Sequence, residues 1–274
     1  MLLAIDARNR SIYLGFRSGE KWLARKRIAA SSPARSADEY ALLMSAFARE
    51  ITGVAEGVSS VIDTAWMSSV VPSLTRNLRD AVESAFGVPC SVVGPGVRTG
   101  VRLRTDIPSE VGSDLVCAAV AAADIAARAA VVVHFDAAIA FSALGKTGDF
   151  LGAAIAPGFY TGIESLRSSA ALLPEVALAQ SFAGDIGAAI GKSTAQSVRA
   201  GIFLGYAGLV ERIVRTQIDE LVASGEAGAP GDVAILGSGG EEGRAIFSEL
   251  RVGQFVPDLV LEGIARIASR AEHG

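Results

Sequence analysis

The chain opens on an apolar block, Leu2 to Ile5, closed by Asp6 and the short turn Ala7-Arg8-Asn9-Arg10, after which apolar positions resume at Ile12. This pattern predicts strands over 2–6, 11–17 and 20–28, the last two joined by a turn at Ser18-Gly19-Glu20. Between 37 and 51, Tyr40, Leu43, Met44, Phe47 and Ile51 recur at helical spacing and give a face to pack on a sheet. A strand over 63–71, a helix over 72–86 that starts on Pro72 and a strand over 89–94 follow. Strands alternating with helices predict a largely parallel α/β sheet.

The second half repeats the opening. "AAVVVHFDAAIAFSALGKTGDFLGAAIAPG" (129–158) reads as a strand, a short turn, a strand, a glycine-containing hairpin and a third strand, with a helix over about 159–172. Aligned on strand ends, Asp6 falls opposite His134, and the turn at 18–20 falls opposite Gly145 to Asp149. A long helix over about 192–224, a strand over 232–237, a Gly-Ser-Gly-Gly turn, a helix over 241–250, a short strand and a helix over 258–271 complete the pattern. Two copies of one unit predict two similar lobes, 1–115 and 116–274, with a cleft between them. The stretch 225–232, "GEAGAPGD", lies between a helix and a strand of the same pattern and reads as a loop.

Composition narrows the classes. With 274 residues, 50% of them hydrophobic and 20% charged, the chain can bury a sizeable core. Its formal net charge of −4 offers no basic field for nucleic acid or a membrane surface. The most apolar region, 116–135, is interrupted by Asp124 and Arg128, so no spanning helix is expected. The N-terminus lacks the basic and apolar regions of an export signal, so a cytoplasmic protein is expected. Cys90 and Cys117 sit far apart in apolar segments, as reduced core thiols do, and His134 and His273 are the only histidines, which argues against a structural zinc site.

Two lobes that each open with a strand, an acidic turn and a hairpin resemble the two-lobed actin-like ATPase fold, a duplicated ribonuclease H-like α/β architecture in which each lobe is a mixed sheet flanked by helices. More specific segments are "SADEY" (36–40), "SSVVPSLT" (68–75), "VVGPGVRTGV" (92–101), "PSEVGSDL" (108–115), "LGAAIAPG" (151–158), "GKSTAQSVRAGIFLGYAGLVE" (191–211) and "DLVLEGI" (258–264). In their order and approximate spacing they resemble type III pantothenate kinases over nearly the whole chain. That resemblance implies ATP-dependent phosphorylation of pantothenate, the first step of coenzyme A synthesis, by a homodimer that uses a divalent and a monovalent cation.

Residue by residue, the resemblance implies that Asp114, in Gly112-Ser113-Asp114-Leu115, is the proton acceptor for the pantothenate hydroxyl. The first turn of a helix also favours an acid there without any catalytic role. Leu115 stands where the family has a carboxylate-holding Arg, a bidentate clamp that leucine cannot imitate. Thr194 matches a pantothenate-contacting threonine, and Gly94-Pro95-Gly96-Val97 matches a loop bordering the substrate pocket, though a strand-ending turn explains that loop equally well. The Gly191-Lys192-Ser193 sequence fails as a P-loop because the required earlier glycine is Ile186 and no strand precedes it.

The phosphate loops depart from the family. Asp6 and Asn9 remain, but Arg8 replaces a glycine that lets phosphate approach and Arg10 replaces a hydroxyl. In the second loop His134 replaces a cation-binding Asp, Asp136 replaces a Gly and brings a carboxylate to a phosphate position, and Ala137 and Ile139 remove two hydroxyls. His134 also reads as a buried structural histidine, and Asp136 as a turn-forming acid. Arg8 and Arg10 facing Asp136 across the cleft would fill the phosphate site with a salt bridge. The expectation is a kinase-like protein that is inactive or impaired. A working kinase whose arginines bind phosphate, and a non-enzymatic dimeric regulator, are the alternatives.

Overall fold

A computed structural model describes residues 1–30, 34–53, 60–169 and 189–272. Ile186, His273 and the expected end of the helix begun at 159 lie outside these residues. The chain divides into two compact units, one comprising 1–100, 107–121 and 260–274, the other 101–106 and 122–259.

In the first unit, β1 (Leu2–Ala7) and β2 (Ser11–Ser18) form a hairpin, and β3 (Lys21–Ala29) extends it. All three pair antiparallel, with a bulge at Phe16/Arg17. On its other side β1 pairs in parallel with β4 (Thr64–Ser69), which pairs in parallel with β5 (Cys90–Val92), giving the order β3-β2-β1-β4-β5. A strand with neighbours on both sides and helices over the sheet is covered throughout, which is why Leu3, Ala4 and Ile5 run as a continuous apolar block.

Helix α1 (Ala37–Thr52) begins with a reciprocal capping box, Ser36 accepting from the Glu39 backbone and Glu39 accepting from the Ser36 backbone. The Ser36 backbone N–H and the Ser36 hydroxyl, both donating to the Glu39 carboxylate, hold it below its ordinary pKa. Helix α2 (Pro72–Phe86) starts on its proline, as expected. Tyr40 and Met44 of α1 and Leu78, Val82 and Phe86 of α2 join Leu3, Ile5, Leu14 and Met67 of the sheet in one buried cluster. Each such side chain contributes about 1.5–3 kcal/mol on burial, so this cluster dominates the unit's stability.

The second unit repeats this topology. Strands β6 (Ala130–Phe135), β7 (Ala138–Leu144) and β8 (Phe150–Pro157) form the antiparallel meander. Strands β9 (Ala234–Gly239) and β10 (Gln254–Phe255) lie parallel beyond β6, giving β8-β7-β6-β9-β10. Helices α4 (Phe159–Ser169), α5 (Thr194–Ala223) and α6 (Glu241–Ser248) belong to this unit. Phe203, Val210, Val214 and Leu221 of α5 pack in the same core as Val131, Val133 and Phe141 of the sheet. The duplication is therefore one of sheet order and strand direction, not only of element type.

Helix α3 (Ser113–Ala126) and the last helix, α7 (Leu259–Glu272), cross at close range within the first unit. A Cβ on Gly263 would lie 1.8 Å from the Cys117 carbonyl oxygen, so only glycine allows this approach. Glu262 on the same turn accepts a hydrogen bond from Trp22 Nε1 at 2.6 Å, tying α7 to β3. The "DLVLEGI" segment thus owes its glutamate and glycine to packing. Gly263→Ala is expected to cost about 1–3 kcal/mol through overpacking, and thermal unfolding followed by circular dichroism should show a lower Tm with the same folded spectrum.

Candidate active site

The first hairpin turn is built around one ion pair. Asp6, next to last in β1, sits beside Tyr13 of β2 and Ser68 of β4. The Arg8 backbone N–H donates to the Ser11 carbonyl at 2.9 Å and closes the turn. The Arg8 side chain then folds back, its Nε and Nη2 donating to Asp6 Oδ2 at 2.6 and 2.5 Å. Asp6 is 1% exposed and Arg8 4%, while Asn9 and Arg10 lie at the surface. The flat guanidinium also lies over the Tyr13 ring, 4.8 Å from its centroid, adding a cation–π contact.

The ends of β4 and α3 meet beside this pair in the same unit. Ser113 Oγ accepts the Ser69 N–H at 3.1 Å, lies 2.9 Å from Ser68 Oγ and reaches the Ser69 carbonyl at 3.2 Å. Thr75 Oγ1 donates to Ser69 Oγ at 2.8 Å and extends the network into α2. Asp114 occupies the first turn of α3, and its Oδ1 lies where a Cβ on residue 112 would be, so Gly112 gives the carboxylate its room. Leu115 follows, half-buried. One turn later the Cys117 thiol is pushed well above its ordinary pKa, chiefly by burial and further by the negative charges of Asp6 and Asp114, with the Ser68 hydroxyl acting the other way. Asp6, Arg8, Ser68, Ser113, Asp114 and Cys117 therefore share one region. Gly94 and Gly96 form a turn after β5, with Gly96 at φ 90° and the Gly94 carbonyl accepting from Val97.

In the second unit His134 holds the place that Asp6 holds in the first. It is next to last in β6, opposite Ala140 of β7 and Ser238 of β9, and buried. Its turn is bound through backbone atoms. The Ala137 carbonyl accepts from the Gly158 N–H at 2.9 Å and from Thr161 Oγ1 at 2.7 Å, and Asp136 N–H donates to the Ala138 carbonyl at 3.0 Å. A Cβ on Gly158 would lie 2.2 Å from the carbonyl oxygens of both Asp136 and Ala137. Tyr206, its hydroxyl pKa raised by burial, donates to the Gly158 carbonyl at 3.0 Å. Tyr160 donates to Glu242 at the start of α6, a pairing the sequence did not disclose. Thr194 is exposed as the first residue of α5, where Ser193 accepts from Gln196 N–H and Gln196 accepts from Lys192 N–H. Helix capping thus accounts for Ser193 of this segment.

The family model for type III pantothenate kinases matches residues 2–216. The chain belongs to the type III pantothenate kinase family. A type III pantothenate kinase of Streptomyces coelicolor is 33% identical over 98% of both chains, and one of Saccharopolyspora erythraea is 36% identical over 98% of both. Among solved structures, the activator of 2-hydroxyisocaproyl-CoA dehydratase from Clostridium difficile, with bound ADPNP, aligns over 99% of this chain and 96% of its own at TM-score 0.53. At 12% identity that likeness shows the shared actin-like fold alone.

Within this family fold, the residues present do not suit a divalent cation at Asp6. Hard cations take carboxylate and other oxygen ligands, and here Oδ2 is bonded twice to a guanidinium. Among the described residues no group of three or more His, Cys, Asp or Glu side chains is arranged to hold a metal. Asp114 offers a carboxylate at the start of α3, whereas Leu115 beside it presents only methyl groups. The Ser68, Ser69 and Ser113 network was missed in sequence, although paired serines ending an apolar strand are the signal that marks it.

Burial also pushes the Cys90 thiol up to about 12, with Arg79 opposing weakly. Both thiols, being raised on folding, favour the native state below the ordinary thiol pKa, and that contribution is lost as pH rises beyond it. A disulfide-exchange reagent at about pH 8 should leave both unreacted in native protein and titrate both after denaturation, since the thiolate is the reacting species; rapid modification of native protein would contradict the burial.

Proposed function

We propose that this chain is a type III pantothenate kinase homologue in which ATP-dependent phosphorylation of pantothenate is lost or strongly impaired. The reading rests on the buried Asp6–Arg8 ion pair. A phosphate loop works by offering small residues, backbone N–H groups and a carboxylate free to position a cation. Here the carboxylate is already neutralised, and Arg8 fills the space that a glycine would leave for phosphate.

The second loop supports the same reading. Positions 137 and 139 carry an alanine and an isoleucine, without hydroxyls, and the Ala137 carbonyl is bound inward to Gly158 and Thr161. On the substrate side Asp114 still offers a carboxylate that can take a proton from an alcohol. Leu115 removes the charge that would hold the pantothenate carboxylate against it. A general base without a positioned acceptor contributes little, because phosphoryl transfer depends on placement and on charge stabilisation.

The proposal carries with it the homodimer expected of the family. Ile155, 69% exposed on the edge strand β8, and the exposed Leu204 on α5 are apolar positions that favour self-association. Sedimentation velocity should return twice the monomer mass, and a monomer at micromolar concentration would contradict it.

Steady-state phosphorylation of pantothenate by the purified protein, with ATP, magnesium and ammonium or potassium supplied, tests the main claim. Ordinary kinases turn over at about 1–100 per second, and a rate at least about a thousandfold lower is expected. Turnover in the ordinary range overturns the proposal.

A further inference from the structure

We infer that Arg8 is a resident cation: its guanidinium supplies at Asp6 the positive charge that a bound metal ion would otherwise supply, so the fold of the first hairpin needs no metal.

The inference rests on the same ion pair as the proposed loss of phosphoryl transfer, but it concerns what keeps Asp6 ionised in the core rather than what the protein catalyses. A buried carboxylate must be neutralised by a proton, a metal or a cationic side chain. Asp6 lies in a central strand with apolar neighbours Ile5 and Ala7, both buried, and β-pairing on both sides. Its Oδ2 receives two N–H groups from one guanidinium. The guanidinium is in turn held by packing over Tyr13 and by the turn that starts at Arg8 N–H. Arg8 is thus placed by its own backbone, two residues from its partner. A planar, permanently charged group suits this position better than an ammonium would, because it stacks on the ring and bonds the carboxylate with the same face geometry.

Two consequences follow. In the wild type the guanidinium already holds Oδ2 through two N–H groups, where a metal would otherwise bind. In Arg8→Gly the carboxylate loses the guanidinium bonded to Oδ2, which opens the turn to a cation. Neither consequence depends on whether nucleotide or pantothenate binds, and both can be read in the absence of either.

Thermal unfolding of the full chain with and without millimolar magnesium, without nucleotide, is the experiment. The wild-type Tm should not change with magnesium. Arg8→Gly should unfold about 5–15 °C lower than wild type in the presence of a chelator, the scale expected for stranding a buried charge. Magnesium should then raise the Tm of Arg8→Gly by about 5 °C or more, as a ligand that binds only the native state does. A magnesium-dependent rise in the wild type, or an Arg8→Gly protein indifferent to magnesium, overturns the inference. If Arg8→Gly does not fold at all without metal, the charge-free double variant Asp6→Asn/Arg8→Gly must fold; its failure overturns the inference equally. Kinase turnover in the wild type, should it be found, would overturn the proposed function while leaving these melting results to decide the role of Arg8.

Discussion

A charge in the core of a sheet constrains everything around it, and in this chain that charge is Asp6. It lies next to last in a strand whose preceding residues are wholly apolar, and it is hydrogen-bonded twice to Arg8 from the adjoining turn. A buried, unpaired carboxylate costs several kcal/mol, so Asp6 needs a partner of opposite charge or a proton. Arg8 meets that demand from within the hairpin. On the proposed function, that long cationic side chain stands where a phosphate loop would offer a small residue and open backbone. On that reading, the structural demand of Asp6 and the needs of a phosphate loop compete for one position, and the ion pair satisfies the first.

In the duplicated second unit the corresponding strand position carries no acid. His134 takes the position of Asp6 in a strand of identical topology, beside Ser238 where Asp6 has Ser68. The turn beyond it is anchored by the Ala137 carbonyl and by close contact with Gly158 rather than by side-chain hydroxyls. One unit has at this strand position an acid paired with an arginine, and the other has an imidazole. What persists in both is the scaffold: the strand order, the helix caps and the glycines at close crossings.

That scaffold is also what the sequence made legible. Strands β1 and β2 and helix α2 begin and end within a residue or two of where the apolar periodicity and Pro72 placed them, because propensity, pattern and tertiary packing agree there. The alignment of Asp6 with His134 is legible for the same reason, since strand ends fix the register. The direction of the Arg8 side chain was not. An arginine in a turn can reach forward, outward or back, and only the positions of Asp6 Oδ2 and the Tyr13 ring decide among them. The serine network at Ser113 and the Tyr160–Glu242 bond were hidden likewise, because each joins elements far apart in sequence through side-chain geometry. The Gly191-Lys192-Ser193 segment was legible as something other than a P-loop, and its role as a helix cap became visible once Gln196 was seen to face Lys192.

The most direct measurement is the affinity of magnesium-ATP for the wild type and for Arg8→Gly, read by isothermal calorimetry. If Arg8 occupies the phosphate position, the wild type gives no saturable heat or binds weakly, and the glycine variant binds more tightly. Tight binding by the wild type that weakens on removal of Arg8 would make the arginine a phosphate ligand and contradict the account.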